Sequence, residues 1–446
     1  MKPNASRRPS AVPTLLLVVT VAFPLVALVL TDAQELNDRD RARGRTMLKV
    51  VKKDIQNRYY DPQFHGLDLD ARFLKAEQDI GQATSLGQML GIIAQAVLDL
   101  NDSHSLFVPP GRTAKFHYEW RMRAIGDRPY VVAVRPGSDA AAKGLKAGDA
   151  VLLVDGFPLD RGNIPLFRYR YFLIRPAPAV RLVVQSPGGV PRQLDVVTRI
   201  EMGKRVIDLT QGEDIWDILR RAENLADVVR YVEWPDKGII VLNVPSFMRD
   251  EEQIGRCADR LRKFKSAILD LRGNGGGYID SLAYLLGYFF DHDVTIGQPR
   301  GREAGVKPVV AKTQGKRAFA GKLVVLVDSD TGSGGEVFAR VVQLEKRGTV
   351  IGDRTSGSVM VARYYQREMG GENIVLFGIS VSEAELIMAD GQSLEKMGVR
   401  PDIFVLPTAE DLAAERDPVL ARALAVFGAL ISPVEAAKLF PYKWVD

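Results

Sequence analysis

Three short stretches of this sequence combine residue types that can do covalent chemistry. The first is Leu323-Val-Val-Leu-Val-Asp-Ser-Asp-Thr-Gly-Ser-Gly-Gly-Glu336. An apolar strand runs into small residues and a helix is expected from about Gly334, so Ser333 stands at a helix N-terminus with Glu336 three residues on. Two readings fit that spacing. Ser333 and Glu336 form a capping box, or Ser333 is a nucleophile whose developing oxyanion draws on unpaired helix N–H groups and the helix dipole. The second stretch is Leu269-Asp-Leu-Arg-Gly-Asn-Gly-Gly-Gly277. A strand ending in Asn274 and three glycines leaves backbone N–H groups pointing outward, which either cradle an anion or simply make a tight turn. It is not a P-loop, because no Gly-Lys-Ser/Thr follows. The third is Leu100-Asn-Asp-Ser-His104-Ser. A lone histidine is more often structural than catalytic, but His104 lies between hydroxyls rather than on an apolar helix face, which weakens the structural reading.

The elements that must position these residues follow from composition and periodicity. A chain of 446 residues calls for two or three domains. Lys plus Arg number 60 against 55 Asp plus Glu, scattered and without a basic run that interleaves aromatics; nucleic acid is not expected as a partner. The single cysteine, Cys257, excludes an internal disulfide or a cysteine metal cluster, and His65, His104, His117 and His292 lack the i, i+4 pairing of a zinc helix. No metal is therefore expected. Lys2, Arg7 and Arg8 precede an uncharged apolar run over residues 11–30, long enough to span a hydrocarbon core with its basic flank cytoplasmic. Residues 1–33 thus read as a membrane anchor in preference to a cleaved signal segment, with the catalytic part extracytoplasmic either way.

Residues 34–116 read as a helical N-terminal domain, with Met47, Val50, Val51 and Ile55, then Leu86, Met89, Leu90, Ile93 and Val97, at helical spacing. Over residues 117–204 the pattern changes to short β runs at 130–134, 150–154 and 180–184, separated by turn pairs such as Pro136-Gly137 and Asp155-Gly156. A polar helical linker, 205–231, leads into residues 232–446. There, strand-like runs at 239–244, 267–271, 323–327 and 374–381 come with helical stretches at 251–263, 279–290 and 336–346. That alternation argues for an α/β core.

Residues 131–156, with Pro-Gly-Ser-x-Ala and Gly-Leu-x-x-Gly-Asp, resemble a PDZ domain. The resemblance implies a β domain with a groove where an extended peptide, often a free C-terminus, adds as a strand; Arg128, Tyr130 and Val131 are its candidate peptide-binding residues. The preceding loop, Gly126-Asp-Arg-Pro129, departs from the usual carboxylate-binding loop. The three chemistry-bearing stretches, together with Tyr59-Tyr-Asp-Pro-x-Phe-x-Gly66 and Leu394-Glu-Lys-Met-Gly-Val-Arg-Pro-Asp402, resemble the serine peptidase family that includes the carboxyl-terminal processing (tail-specific) proteases and the tricorn core protease. This implies a ClpP/crotonase-like catalytic core.

In the processing-protease branch the base is a lysine after a Gly-x-x-Thr-x-Gly pattern. Here Gly352-Asp-Arg-Thr-Ser-Gly357 is followed by Ser358, which cannot take the nucleophile's proton. The tricorn-like branch uses serine and histidine, with a glutamate and a second serine supporting the imidazole. Carried onto this sequence, that implies Ser333 as nucleophile, His104 as base, and Ser103 and Glu395 as supports, with Asp390 and Glu383 as rival carboxylates. The oxyanion donors would be the N–H groups of Gly334 and of Gly275 or Gly276. No cofactor is required. The expectation is a single-pass, membrane-anchored serine endopeptidase that acts on polypeptides outside the cytoplasm. Two other readings are a weak or inactive peptide-binding adaptor of the same family, and an acyl-CoA hydratase-like enzyme, since a crotonase fold also builds an oxyanion hole from a glycine loop.

Overall fold

The apolar runs that follow residue 229 pair into a six-stranded sheet in the order Arg230–Trp234, Ile239–Asn243, Ser266–Asp270, Lys322–Val327, Thr349–Gly352 and Ile403–Phe404. The first pair is antiparallel and every later one parallel. The computed structural model describes residues 36–202, 229–248, 251–303, 305–370 and 374–444. Ile240, Leu242, Leu269 and Val325 pack on one face with the helices Glu251–Ala258, Ile279–Leu286 and Gly334–Leu344. Ile239, Val241, Ile268 and Leu326 pack on the other with the Pro418–Val426 helix. A parallel sheet covered on both faces explains why these strands read as unbroken apolar runs rather than alternating ones. The loops that leave the carboxyl ends of three neighbouring strands carry Asn274, Ser333 and Ser358, the side on which open α/β sheets bind ligands.

The apolar run expected at 374–381 belongs to another sheet. Val375–Met388 pairs along its length with Met360–Met369, and on its other edge with Leu106–Val108 and Val294–Gly301. The short gap between residues 369 and 375 allows a hairpin, whereas a parallel partner needs a crossover of a dozen or more residues. The helices Asp38–Arg58, Leu69–Gln82 and Leu86–Leu98 lie where the periodicity placed helical structure. Their stripe, including Val51, Ile55, Ile93 and Val97, does not close on itself. Phe107 and, from the second sheet, Phe377, Ile379 and Val381 complete a shared core. Residues 99–105 are thereby pinned against the C-terminal half of the chain.

Between these parts, residues 120–197 form a separate sheet in the order Trp120–Ile125, Arg128–Val134, Ala150–Val154, Ala179–Gln185 and Pro191–Val197. Its core is its own, built on Trp120, Val131, Leu182 and Val184 among others. Among the described residues four ion pairs join it to the loops of the parallel sheet: Arg123 with Asp328, Arg168 with Asp330, Arg161 with Asp353 and Asp127 with Arg354.

Among the described residues no helix is long and apolar enough to cross a membrane. The 21-residue Asp38–Arg58 helix carries Arg39, Arg41, Arg43, Arg45, Lys49, Lys52 and Lys53, and its apolar face is spent on the core. This argues against the single-pass membrane protein expected from the sequence. The 11–30 run on which that expectation rested lies outside the described residues, as does most of the 205–231 linker.

Candidate active site

Beyond Val327 the chain turns sharply. Asp328 Oδ1 accepts from Asp330 N (3.0 Å), from Gly273 N (2.9 Å) and from Thr331 Oγ1 (3.2 Å). Ser333 emerges at φ 47°, ψ −119°, directly before the Gly334–Leu344 helix. An N-cap residue ordinarily sits in the extended region, and a side chain held in such a conformation costs about 1–3 kcal/mol. A capping box is present, with Glu336 taking the Ser333 N–H at 3.1 Å. Capping alone does not account for the strained backbone.

The glycine loop meets this turn at close range. Asn274 is fully buried; its Nδ2 donates to Val244 O (2.9 Å) and its Oδ1 accepts from Gly276 N (2.8 Å), while its carbonyl accepts from Gly332 N (2.8 Å). Gly276 has φ 105°, and a methyl group there would lie 2.5 Å from Ser333 Cβ, 2.9 Å from Ser333 Oγ and 2.9 Å from Gly334 N. Glycine is required for that approach. Of the two loop glycines expected to donate to an oxyanion, Gly276 has its N–H committed to Asn274 and serves as the gap instead. Among the described residues no hydrogen bond engages the N–H of Gly275 or of Gly334.

His104 lies in the loop between the Leu86–Leu98 helix and the Leu106–Val108 strand and is 1% exposed. Asp102 Oδ1 shapes that loop, accepting from His104 N (2.9 Å), Ser105 N (2.8 Å) and Ser382 Oγ (2.6 Å). Ser103 Oγ sits 2.7 Å from His104 Nδ1 and donates to Glu395 Oε2 at 2.8 Å. Glu395 also accepts from Ser103 N (2.9 Å) and Val359 N (2.9 Å). Because the Ser103 hydroxyl spends its proton on a carboxylate, it accepts from Nδ1–H, which puts the neutral imidazole's lone pair on Nε2. The rival carboxylates are engaged elsewhere, Asp390 with Arg340 and Glu383 with Tyr365. Ser358 turns its hydroxyl to Ser356 Oγ (2.8 Å), and its carbonyl accepts from Ser333 N (2.9 Å).

Glu336 was legible in the sequence only as a capping partner. It is fully buried, and burial pushes its carboxyl up to about 7 against the opposing pull of four hydrogen-bond donors. Asn274, Asp102 and Thr355 are further residues that sequence reasoning did not single out for a role; the Asn-Gly-Gly-Gly run was the only local hint for the first. The peptide-binding residues need correction. Arg128, Tyr130 and Val131 lie on an interior strand: Arg128–Val134 pairs along its length with Trp120–Ile125, and its other side meets Ala150 through Tyr130 and Asp149 O through Val131 N (2.8 Å). No strand can add there. Trp120–Ile125 ends the order of this sheet, so the edge lies one strand earlier than expected.

A cleft of about 720 Å³ opens where the helices, the separate sheet and the parallel-sheet loops meet, and Ser103, Arg161, Tyr169, Ser356, Glu395 and Met397 are among its lining residues. It reaches the Ser103–Glu395 pair from outside; Ser333 and His104 do not line it.

Residues 238–405 match the family described as Peptidase family S41. The chain is 25% identical over 406 residues to the putative tricorn protease homolog 2 of Streptomyces coelicolor, covering 83% of this chain and 31% of that protein. It is 29% identical over 278 residues to the carboxy-terminal processing protease CtpA of Bacillus subtilis, covering 61% of this chain and 52% of that one. It thus spans about a third to a half of the length of these curated relatives. Among solved structures, mature CPAF aligns with a TM-score of 0.60 at 15% identity, covering 84% of this chain and 95% of that one. The photosystem II D1 C-terminal processing protease aligns with a TM-score of 0.50 at 19% identity, covering 82% and 94%. At these identities the structures speak for the mixed α/β fold alone. The match to Peptidase family S41 covers the parallel-sheet core that carries Asn274, Ser333 and Glu395.

Proposed function

We propose that this protein is a serine peptidase that cleaves polypeptides with Ser333 as nucleophile and His104 as base. The observation that carries this reading is the hydrogen-bonded chain Glu395–Ser103–His104, whose members come from segments 292 positions apart in sequence. A serine hydroxyl is a weak nucleophile until a positioned base takes its proton. His104 Nε2 takes that proton as Oγ attacks the peptide carbonyl. The imidazolium formed is stabilised through the Ser103 hydroxyl by the Glu395 carboxylate. The tetrahedral oxyanion accepts from Gly334 N–H and Gly275 N–H, the donors with no other partner among the described residues. His104 then protonates the leaving amine, and water, activated by the same base, releases the acyl group from Ser333. A serine–lysine dyad is not available at residue 358, where a serine stands.

In the same reading the 120–197 sheet is a PDZ-like module that presents the Trp120–Ile125 edge to extended peptide segments. The names of the relatives favour carboxyl-terminal regions as the substrates. The inactive-adaptor reading is not favoured, because His104 is hydrogen-bonded to Ser103 and through it to Glu395.

The test is reaction with a fluorophosphonate and mapping of the modified residue, alongside hydrolysis of an unfolded protein substrate. Label at Ser333, lost in Ser333→Ala, is the expected result. His104→Ala should lower kcat by roughly two orders of magnitude or more, while Ser358→Ala keeps most activity. Absence of label in the parent protein, or full activity of His104→Ala, would sink the assignment.

A further inference from the structure

A capping glutamate works from the helix surface, accepting one N–H while its carboxylate stays in water. Glu336 is instead fully buried, and its two oxygens accept from four donors. Oε2 takes Ser333 N at 3.1 Å and Ser358 N at 2.8 Å. Oε1 takes Gly357 N at 2.7 Å and the Thr355 hydroxyl. All four donors are neutral, so the carboxylate is solvated by the fold rather than paired with a cation. Burying a charge in this way costs several kcal/mol, a cost that an exposed cap would not incur.

The partners explain what the burial achieves. The Thr355 hydroxyl also accepts from Val399 N (2.6 Å), Thr355 N donates to Val399 O (3.1 Å), and Gly357 O accepts from Lys396 N (2.7 Å). Residue 359 gives its N–H to Glu395 Oε2 at 2.9 Å. Segment 355–359 therefore runs between two carboxylates, Glu336 at the nucleophile and Glu395 at the imidazole support. The contact leaves little slack. A methyl group at Gly357 would lie 3.0 Å from Lys396 C, and one at Gly398 would lie 2.8 Å from Thr355 O. Ser333, at φ 47°, is held in a conformation that persists only where the surroundings over-determine it.

We propose that Glu336 is a positioning residue whose carboxylate, acting through segment 355–359, holds the Ser333 hydroxyl in register with the His104–Ser103–Glu395 chain. The proposal rests on the reading of Ser333 as nucleophile. It also gives residue 358 a purpose without a lysine: its peptide group, not its side chain, serves the site.

Glu336→Gln tests it, because an amide offers one acceptor oxygen where two are used and turns an N–H₂ group toward donors. Misplacing a reacting group by about an ångström costs on the order of a hundredfold. The expected result is a fall of that order in kcat with KM within about twofold. Fluorophosphonate labelling should slow in parallel, and amides 333, 357 and 358 should exchange hydrogen faster while those of the Lys322–Val327 strand keep their protection. Parental kcat and parental exchange in Glu336→Gln overturn the proposal. Thr355→Val, which removes one donor and the acceptor for Val399 N, should shift every readout the same way by less. Should the glutamine variant fail to fold, parental behaviour of Thr355→Val overturns the proposal by itself. A parent protein that neither labels nor hydrolyses would instead refute the peptidase reading; the exchange measurement still decides whether Glu336 holds Ser333.

Discussion

Ser333 stores strain where the chemistry is proposed to happen. Glycine adopts φ 47°, ψ −119° without the side-chain penalty, and as an N-cap it costs only a few tenths of a kcal/mol relative to serine. Ser333→Gly should therefore raise unfolding free energy by about 1–2 kcal/mol while abolishing hydrolysis, measured by urea melts beside activity. A variant that is less stable than the parent would show that the turn is not strained. Gly276 makes the complementary point. Its absent side chain is the space between Ser333 Oγ and Gly334 N, so Gly276→Ala fills the proposed oxyanion site. Peptide hydrolysis should drop on the order of 100–1,000-fold, the magnitude for losing one oxyanion donor, with circular dichroism confirming a folded protein.

At the scale of elements, the separate sheet is fastened to the loops that flank Ser333 rather than to the body of the core. Arg161 pairs with Asp353 and donates to Gly126 O (2.7 Å) and Arg354 O. The edge strand Trp120–Ile125 has Met122 O taken by Arg168 (2.9 Å) and Ala124 O by Ser329. An added peptide strand must compete for those acceptors, which couples the edge to the turn before Ser333. Arg161→Ala leaves Asp353 with Gly126 N (2.9 Å) and Arg354 N (2.7 Å) as partners, so its cost should be that of one lost charged contact, about 1–3 kcal/mol. A thermal melt reads it. An unchanged melting temperature would mean that the fastening contributes nothing to stability.

Across the whole molecule, two carboxylates, Asp417 and the buried Glu336, respond to pH in opposite senses. Asp417, at the start of the Pro418–Val426 helix, and Asp270 flank the Arg272 guanidinium, which donates to both at 2.8 Å. Burial acts to raise the Asp417 carboxyl, but Arg272 outweighs it and holds the group below its usual range. Its stabilisation is present above the ordinary value of 3.8 and is lost as pH falls through the folded-state value. Glu336 is raised from 4.5 to about 7 by burial, so its contribution is present below 4.5 and is lost as pH rises through about 7. Urea melts across the acid and neutral range should show Asp417→Asn flattening the acid limb only. Glu336→Gln should remove a decline between about 4.5 and about 7. If both variants changed the same limb, these assignments would be wrong.

What the sequence alone determined was what local geometry dictates. Small residues after an apolar strand, a serine three places before a glutamate, and the Asn-Gly-Gly-Gly run each describe a turn or cap that forms within a few residues. The helical and parallel-strand runs were legible for the same reason, since their periodicity reports which faces are buried. The tertiary structure decided the rest. Glu395 was preferred to its rivals Glu383 and Asp390 on resemblance alone, and it is the pinning of residues 394–399 by Thr355 and Gly357 that brings it to Ser103. The strand containing Arg128, Tyr130 and Val131 looked like an edge because sheet order is a non-local property; pairing with residues 120–125 and 149–150 makes it interior. Glu336 read only as a capping partner because its burial depends on what the fold lays over the helix start. Hydrogen bonds between segments far apart in sequence carry no local signature, and it is those bonds that join Ser103 and His104 to Glu395, and Ser333 through Glu336 to segment 355–359.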